Sequence, residues 1–127
     1  MTGNDVLLLA LSLLGEEHAM AAEYEESAAS SLQILFGECR MINEALRRMR
    51  GKEIPVAWSS ESFFHEIPME EELLVGVLPY GLAARLALEE GDEAKVNYLE
   101  ALYREARMQA YPAAEKAIGE WCGEAAQ

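Results

Sequence analysis

The sequence predicts an all-α fold, a small antiparallel helical bundle of four to five helices with one long irregular loop. Three observations point to it. Apolar residues recur at alternating spacings of three and four, the repeat of a helix face and not of a strand. Alanine, leucine and glutamate dominate and β-branched residues are few, a helix-forming composition. Gly15, Gly51 and Gly91 stand where the periodic runs stop, as residues that close helices do. At 127 residues the chain forms one domain, long enough to bury a core and too short for two.

The first helix is expected over 4–15, capped by Asn4 or Asp5 and ended by Gly15. Its leucines run nearly all round, so it is sandwiched between other elements or held against another subunit. "VLLLALSLL" is too short for the ~20 residues that span a bilayer, lacks a preceding basic residue and is followed by "GEEH", not by a cleavage pattern. This favours a short packed helix, a cytosolic protein and no membrane association.

The second helix, over 19–50, carries the stripe Ala28, Leu32, Leu35, Cys39, Ile42, Leu46 and Met49, widened by Phe36. Acids crowd its first turns and Arg47, Arg48 and Arg50 close the last, in the sense the helix dipole favours. Strong e/g charge pairing is missing, which favours packing inside the monomer over a coiled coil. Cys39 lies on the stripe as a buried free thiol, and with Cys122 it could form at most one disulfide.

Residues 51–68, "GKEIPVAWSSESFFHEIP", break every helical pattern. Pro55 and Pro68 bracket Trp58, Phe63 and Phe64, which either tuck onto the core or dock onto a partner; a short β-hairpin is an option here. A third helix follows over 69–90, with Glu70, Glu71 and Glu72 in its first turn and leucines at 74, 78, 82 and 86. "LPYGLAA" interrupts it. Pro79 lacks an N–H and its ring meets the carbonyl of Val75, so the helix kinks there or restarts. Gly76 eases the bend, while Gly81, Ala83, Ala84 and Ala87 leave a smooth face that another helix can approach closely.

Gly91 and Asp92 mark the next boundary, and a helix over 92–111 carries Val96, Leu99, Leu102, Tyr103, Ala106 and Ala110. Tyr98 and Tyr103 are expected to pack their rings inside with wet hydroxyls. Pro112 kinks or ends the helix. A last piece over 113–122, through Ile118 and Trp121, is either ordered or frayed.

Ten basic residues against 23 acidic ones leave a net charge of −13, which argues against stable nucleic-acid binding. No catalytic, cofactor-binding or metal-ligating residue stands out. A carboxylate-metal bundle needs Glu-x-x-His, but Gly15 precedes His18 by three and Ser62 precedes His65 by three. There is no His-Glu-x-x-His, Cys-x-x-Cys, glycine-rich phosphate loop or Gly-x-Ser-x-Gly. The chain is not expected to be an enzyme.

Two stretches carry a family resemblance. "ALSLLGE" (Ala10 to Glu16), followed by "EYEESAASSLQILFGECRMINEAL", resembles the first half of tailed-phage head–tail connector proteins, the helical adaptors that form a ring beneath the portal. "EIPMEEELLVGVLPYGLAARLALEEGDEAKVNYLEALYREA" (Glu66 to Ala106) resembles their second half, with a Leu-Pro-x-Gly-Leu-Ala helix, an acidic break and a helix with spaced tyrosines. "PVAWSSESFFH" lies outside the match. The resemblance implies a virion or prophage structural protein without cofactors, located in the host cytoplasm and then in the virion neck. It would oligomerise as a ring, bind the portal protein and receive tail or stopper proteins. An acidic wall would let DNA slide through such a ring. The competing expectation is a small acidic bacterial interaction or regulatory module that binds a basic partner protein.

Overall fold

The computed structural model describes residues 1–112; the helical piece expected over 113–122, with Ile118, Trp121 and Cys122, lies outside the described residues. The described chain is all-α. Its elements are α1 (Gly3–Leu14), α2 (Ala21–Met49), α3 (Glu71–Gly76), α4 (Leu78–Glu90) and α5 (Glu93–Ala110), with single 3-10 turns at His18–Met20 and Ser60–Ser62. Among the described residues there is no strand and no hairpin in the loop, only a lone antiparallel bridge between Thr2 and Glu66.

α1 starts earlier than its composition suggests, because Thr2 and not Asn4 or Asp5 is the cap. Thr2 Oγ1 accepts the Asp5 N–H at 3.2 Å, and Asp5 Oδ2 accepts the Thr2 N–H at 2.8 Å. Two donors that the helix cannot satisfy are thus paired reciprocally, an arrangement worth about 1 kcal/mol. That Thr2 N–H holds the Asp5 carboxyl below its usual range. Gly15 closes the helix in the left-handed conformation, as expected (φ 73°). Val6, Leu7, Ala10 and Leu11 are fully buried against α2 and α4, while Leu9 and Leu13 face outward.

α2 and α4 run antiparallel. Near the start of α2, Tyr24 donates to Glu90 at 2.6 Å and Ser27 to Glu89 at 2.9 Å, both at the end of α4. Further along α2, Leu35 meets Gly81 near the start of α4. The predicted stripe of α2 is buried from Ala28 to Leu46, but Met49 falls outside it and is exposed, because the core ends one turn earlier.

The segment expected over 69–90, as a helix that kinks or restarts at Pro79, restarts: it is two helices, with the break at Val77 (φ −125°, ψ −58°), two residues before the proline. Leu78 and Pro79 open α4, where the missing proline N–H is one that no intrahelical carbonyl would have received. The turn at Val77 removes the expected clash while Val77 still donates to the Leu73 carbonyl at 3.2 Å. α4 then becomes the centre of the bundle, packed against α1, α2, α3 and α5. Leu78, Pro79, Leu82 and Leu86 are buried beside Gly81, Ala83, Ala84 and Ala87. The small-residue face is therefore closed inside the monomer: a Cβ at Gly81 would lie 2.8 Å from Leu35 Cδ2 and 2.9 Å from the Tyr103 ring.

The loop aromatics divide. Trp58 and Phe63 are buried, Trp58 tilted against Phe36 with ring centroids 6.2 Å apart, whereas Phe64 is exposed. The loop is stitched to α1 by Asn4 donating to the Phe63 carbonyl at 3.3 Å and Ile67 donating to the Met1 carbonyl at 2.9 Å. The indole N–H of Trp58 has no acceptor among the described residues. Tyr98 contradicts expectation: it is exposed, and Tyr103 alone of the pair enters the core.

Gly81→Ala should lower the unfolding free energy by about 1–3 kcal/mol, the usual cost of overpacking a tight contact. Gly76→Ala, where an added methyl meets nothing within 4 Å, should be neutral or stabilise by up to about 1 kcal/mol. Urea unfolding of both variants checks the contrast.

Candidate functional site: an arginine-lined cleft above Gly81

Two charged clusters stand out, and their geometry separates them. The first joins the end of α2 to the start of α3. Glu70 is only 4% exposed and meets three cations: Arg50 at 2.8 Å, Lys52 at 2.9 Å and Arg47 at 3.2 Å. Arg50 also pairs with Glu72. Asn43, buried on α2, accepts the Glu70 N–H at 2.9 Å and donates to the Pro68 carbonyl at 3.0 Å. Burial pushes the Glu70 carboxyl up, but Lys52 and Arg50 outweigh it and hold it below its ordinary range. Arg50 brings Glu72 down to about 2. Every group in this cluster answers another, so it is a clamp on the loop and leaves nothing for a ligand. The basic residues that closed α2 in the sequence act here through direct pairing more than through the helix dipole.

The second cluster lies in a half-open cleft of about 210 Å3 between α2, α4 and α5. Its apolar part consists of Leu35, Gly81, Ala84 and Tyr103; Glu38, Arg85, Glu100, Arg104 and Arg107 line the rest. The absent side chain at Gly81 lets the Tyr103 ring lie close to α4. The Tyr103 hydroxyl donates to Glu38 Oε1 at 2.7 Å and stands 3.6 Å from the buried Cys39 sulfur. Burial, then the neighbouring Cys39 and Glu38, push the phenol far up, so it stays protonated and a donor. The Arg107 guanidinium sits 5.1 Å above the Tyr103 ring centroid, a cation–π contact.

The arginines in this cleft are weakly engaged. Arg104 approaches Glu100 at 3.6 Å, while Arg107 and Arg85 approach Glu38 at 3.7 and 3.9 Å. These separations exceed hydrogen-bond reach, in contrast to the contacts around Glu70. The arrangement supplies positive charge and N–H donors that make no hydrogen bond among the described residues. It supplies no nucleophile: burial raises the Cys39 thiol, which keeps it from the reactive thiolate form.

The sequence named no catalytic or ligating residue, and the structure places its individual candidates apart. His18 pairs with Ser12 at 2.7 Å beside α1, His65 is exposed in the loop, and Cys39 is enclosed in the core. Among the described residues no group of three or more His, Cys, Asp or Glu is arranged to hold a metal ion, and no helix is long and apolar enough to cross a membrane. The cleft was missed because its arginines are spread over two helices; the one sequence signal was the i, i+3 pair Arg104 and Arg107 beside Tyr103. Comparison of the chain with family models, curated proteins and solved structures finds no match in any of the three.

Glu70→Gln should destabilise the protein by about 1–3 kcal/mol, since it removes a buried anion shared by three cations that solvent partly screens. The depressed carboxyl groups of Glu70 and Glu72 set the pH response. Their contribution is complete above the ordinary glutamate value of about 4.5 and lost as pH falls towards about 2. Urea midpoints measured between these limits should fall with pH, and less steeply in Glu70→Gln.

Proposed function

We propose that this protein is a non-enzymatic virion structural component, a head–tail connector that assembles as a ring between portal and tail proteins. The observation that carries the reading is the distribution of exposed apolar side chains. Leu9 and Leu13 lie one turn apart on α1, Ile34 and Met41 lie two turns apart on α2, and Phe64 projects from the loop. A two-fold dimer needs one self-complementary patch, whereas a ring subunit needs unlike patches for its two neighbours and further surface for what it joins. Apolar exposure on several elements of a domain whose interior is already closed suits the second demand.

Charge supports the same reading. A net charge of −13 keeps a chain with so many exposed apolar groups soluble until its partners cover them. In a ring, the same sign would oppose adhesion of DNA to the wall. The order of motifs along the chain, described above, resembles that of connector proteins and supports this class among helical adaptors.

The test is assembly with a portal protein, which the proposal expects to be encoded beside it. Light scattering and negative-stain imaging of the mixture should show a ring of this protein added to the portal, and Ile34→Glu combined with Met41→Glu should reduce that addition while leaving the helical circular dichroism unchanged. Failure to join the portal, together with a compact one-to-one complex with a basic protein, would refute the proposal.

A further inference from the structure

We infer that the arginine-lined cleft between α2, α4 and α5 is a docking site for a single carboxylate side chain from an acidic segment of a partner protein. Its local charge is the reverse of the chain's. Against 23 acidic and ten basic residues overall, this cleft gathers, among the described residues, three arginines and two glutamates, leaving one positive charge in excess. One singly charged carboxylate neutralises that excess, while a dianionic phosphate would leave the site negative.

Among the described residues, none of the three guanidiniums makes a hydrogen bond. Each guanidinium offers five N–H groups in a planar fork that grips a carboxylate at about 2.7–2.9 Å. Around Glu70 this protein reaches such a contact, with Arg50 at 2.8 Å. In the cleft the nearest carboxylate oxygens stay at 3.6 to 3.9 Å, so Arg85, Arg104 and Arg107 can turn to an incoming acid without breaking a hydrogen bond. Tyr103 keeps Glu38 in place through its hydroxyl and supports Arg107 through its ring. Leu35, Gly81 and Ala84 supply apolar surface for the methylenes of a glutamate.

Size selects a side chain over a free small molecule. Pockets that enclose small ligands occupy roughly 300–1,000 Å3 and bury most of the ligand surface. This cleft is smaller, at about 210 Å3, and open on one side. It can seat the end of a side chain whose backbone stays outside. The inference does not depend on the connector reading, because any protein partner with a projecting acid would engage the cleft in the same way.

The test uses an end-capped, fluorescein-labelled peptide of alternating glutamate and glycine, followed by fluorescence anisotropy at about 0.1 M salt, where charges beyond about 10 Å are screened. The wild-type protein should bind it, and the matching glutamine–glycine peptide should not bind. Arg85→Gln and Arg104→Gln should each weaken binding by about tenfold, as expected for loss of a charge-assisted hydrogen bond. Lys95→Gln, on α5 outside the cleft, should leave binding unchanged, and glutarate should displace the peptide at a lower concentration than inorganic phosphate. Absence of peptide binding to the wild type, equal weakening by Lys95→Gln, or stronger displacement by phosphate would each overturn the assignment.

Discussion

The close approach of three helices over Gly81 is the constraint on which the rest of the structure depends. α4 is short, yet it touches every other helix of the bundle, and only small residues at 81, 83, 84 and 87 leave room for that. Their lack of bulk lets Leu35 of α2 and Tyr103 of α5 both close on one backbone position. Leucines at 78, 82 and 86 fill the space towards the remaining core, each worth about 2 kcal/mol when fully buried. The break at Val77 turns α4 into this central place, and the Glu70 clamp fixes the chain that leads into it.

Most of the architecture could be read from the sequence because periodicity and caps are local signals. The stripe of α2 and the Gly91–Asp92 boundary needed no knowledge of tertiary contacts. The misreadings share one cause: they turn on what a residue meets far along the chain. Glu70, Glu71 and Glu72 look alike in sequence, but Glu70 is buried against Asn43 and three cations, while Glu72 shares Arg50 from an exposed position. Tyr98 and Tyr103 are likewise similar tyrosines, and their fates differ because α5 buries a narrow face, chiefly Leu99 and Tyr103. Pro79 announces an interruption, but its exact effect depends on the turn taken two residues earlier. The helix-approach face was legible, while its use inside the monomer required knowing that α2 and α5 both fold back onto it.

The same packing places the cleft. Leu35 and the Tyr103 ring occupy the space that a side chain at 81 would need, and the arginines of α4 and α5 border the opening beside them. Stability and recognition thus draw on one position. Around that closed centre, apolar side chains on α1, α2 and the loop remain outside. The negative charge governs solubility at a distance, and the local excess of arginine reverses it at one place.

The most direct measurement of this account is the proton NMR environment of Gly81 in the wild-type protein. The close three-helix contact predicts strong nuclear Overhauser effects from the Gly81 α-protons to both the Leu35 methyls and the Tyr103 ring, with those α-protons shifted by the aromatic ring current. Gly81 α-protons at ordinary shifts, with cross-peaks to neither side chain, would show that α2 and α5 do not close together on α4 and would contradict the account at its centre.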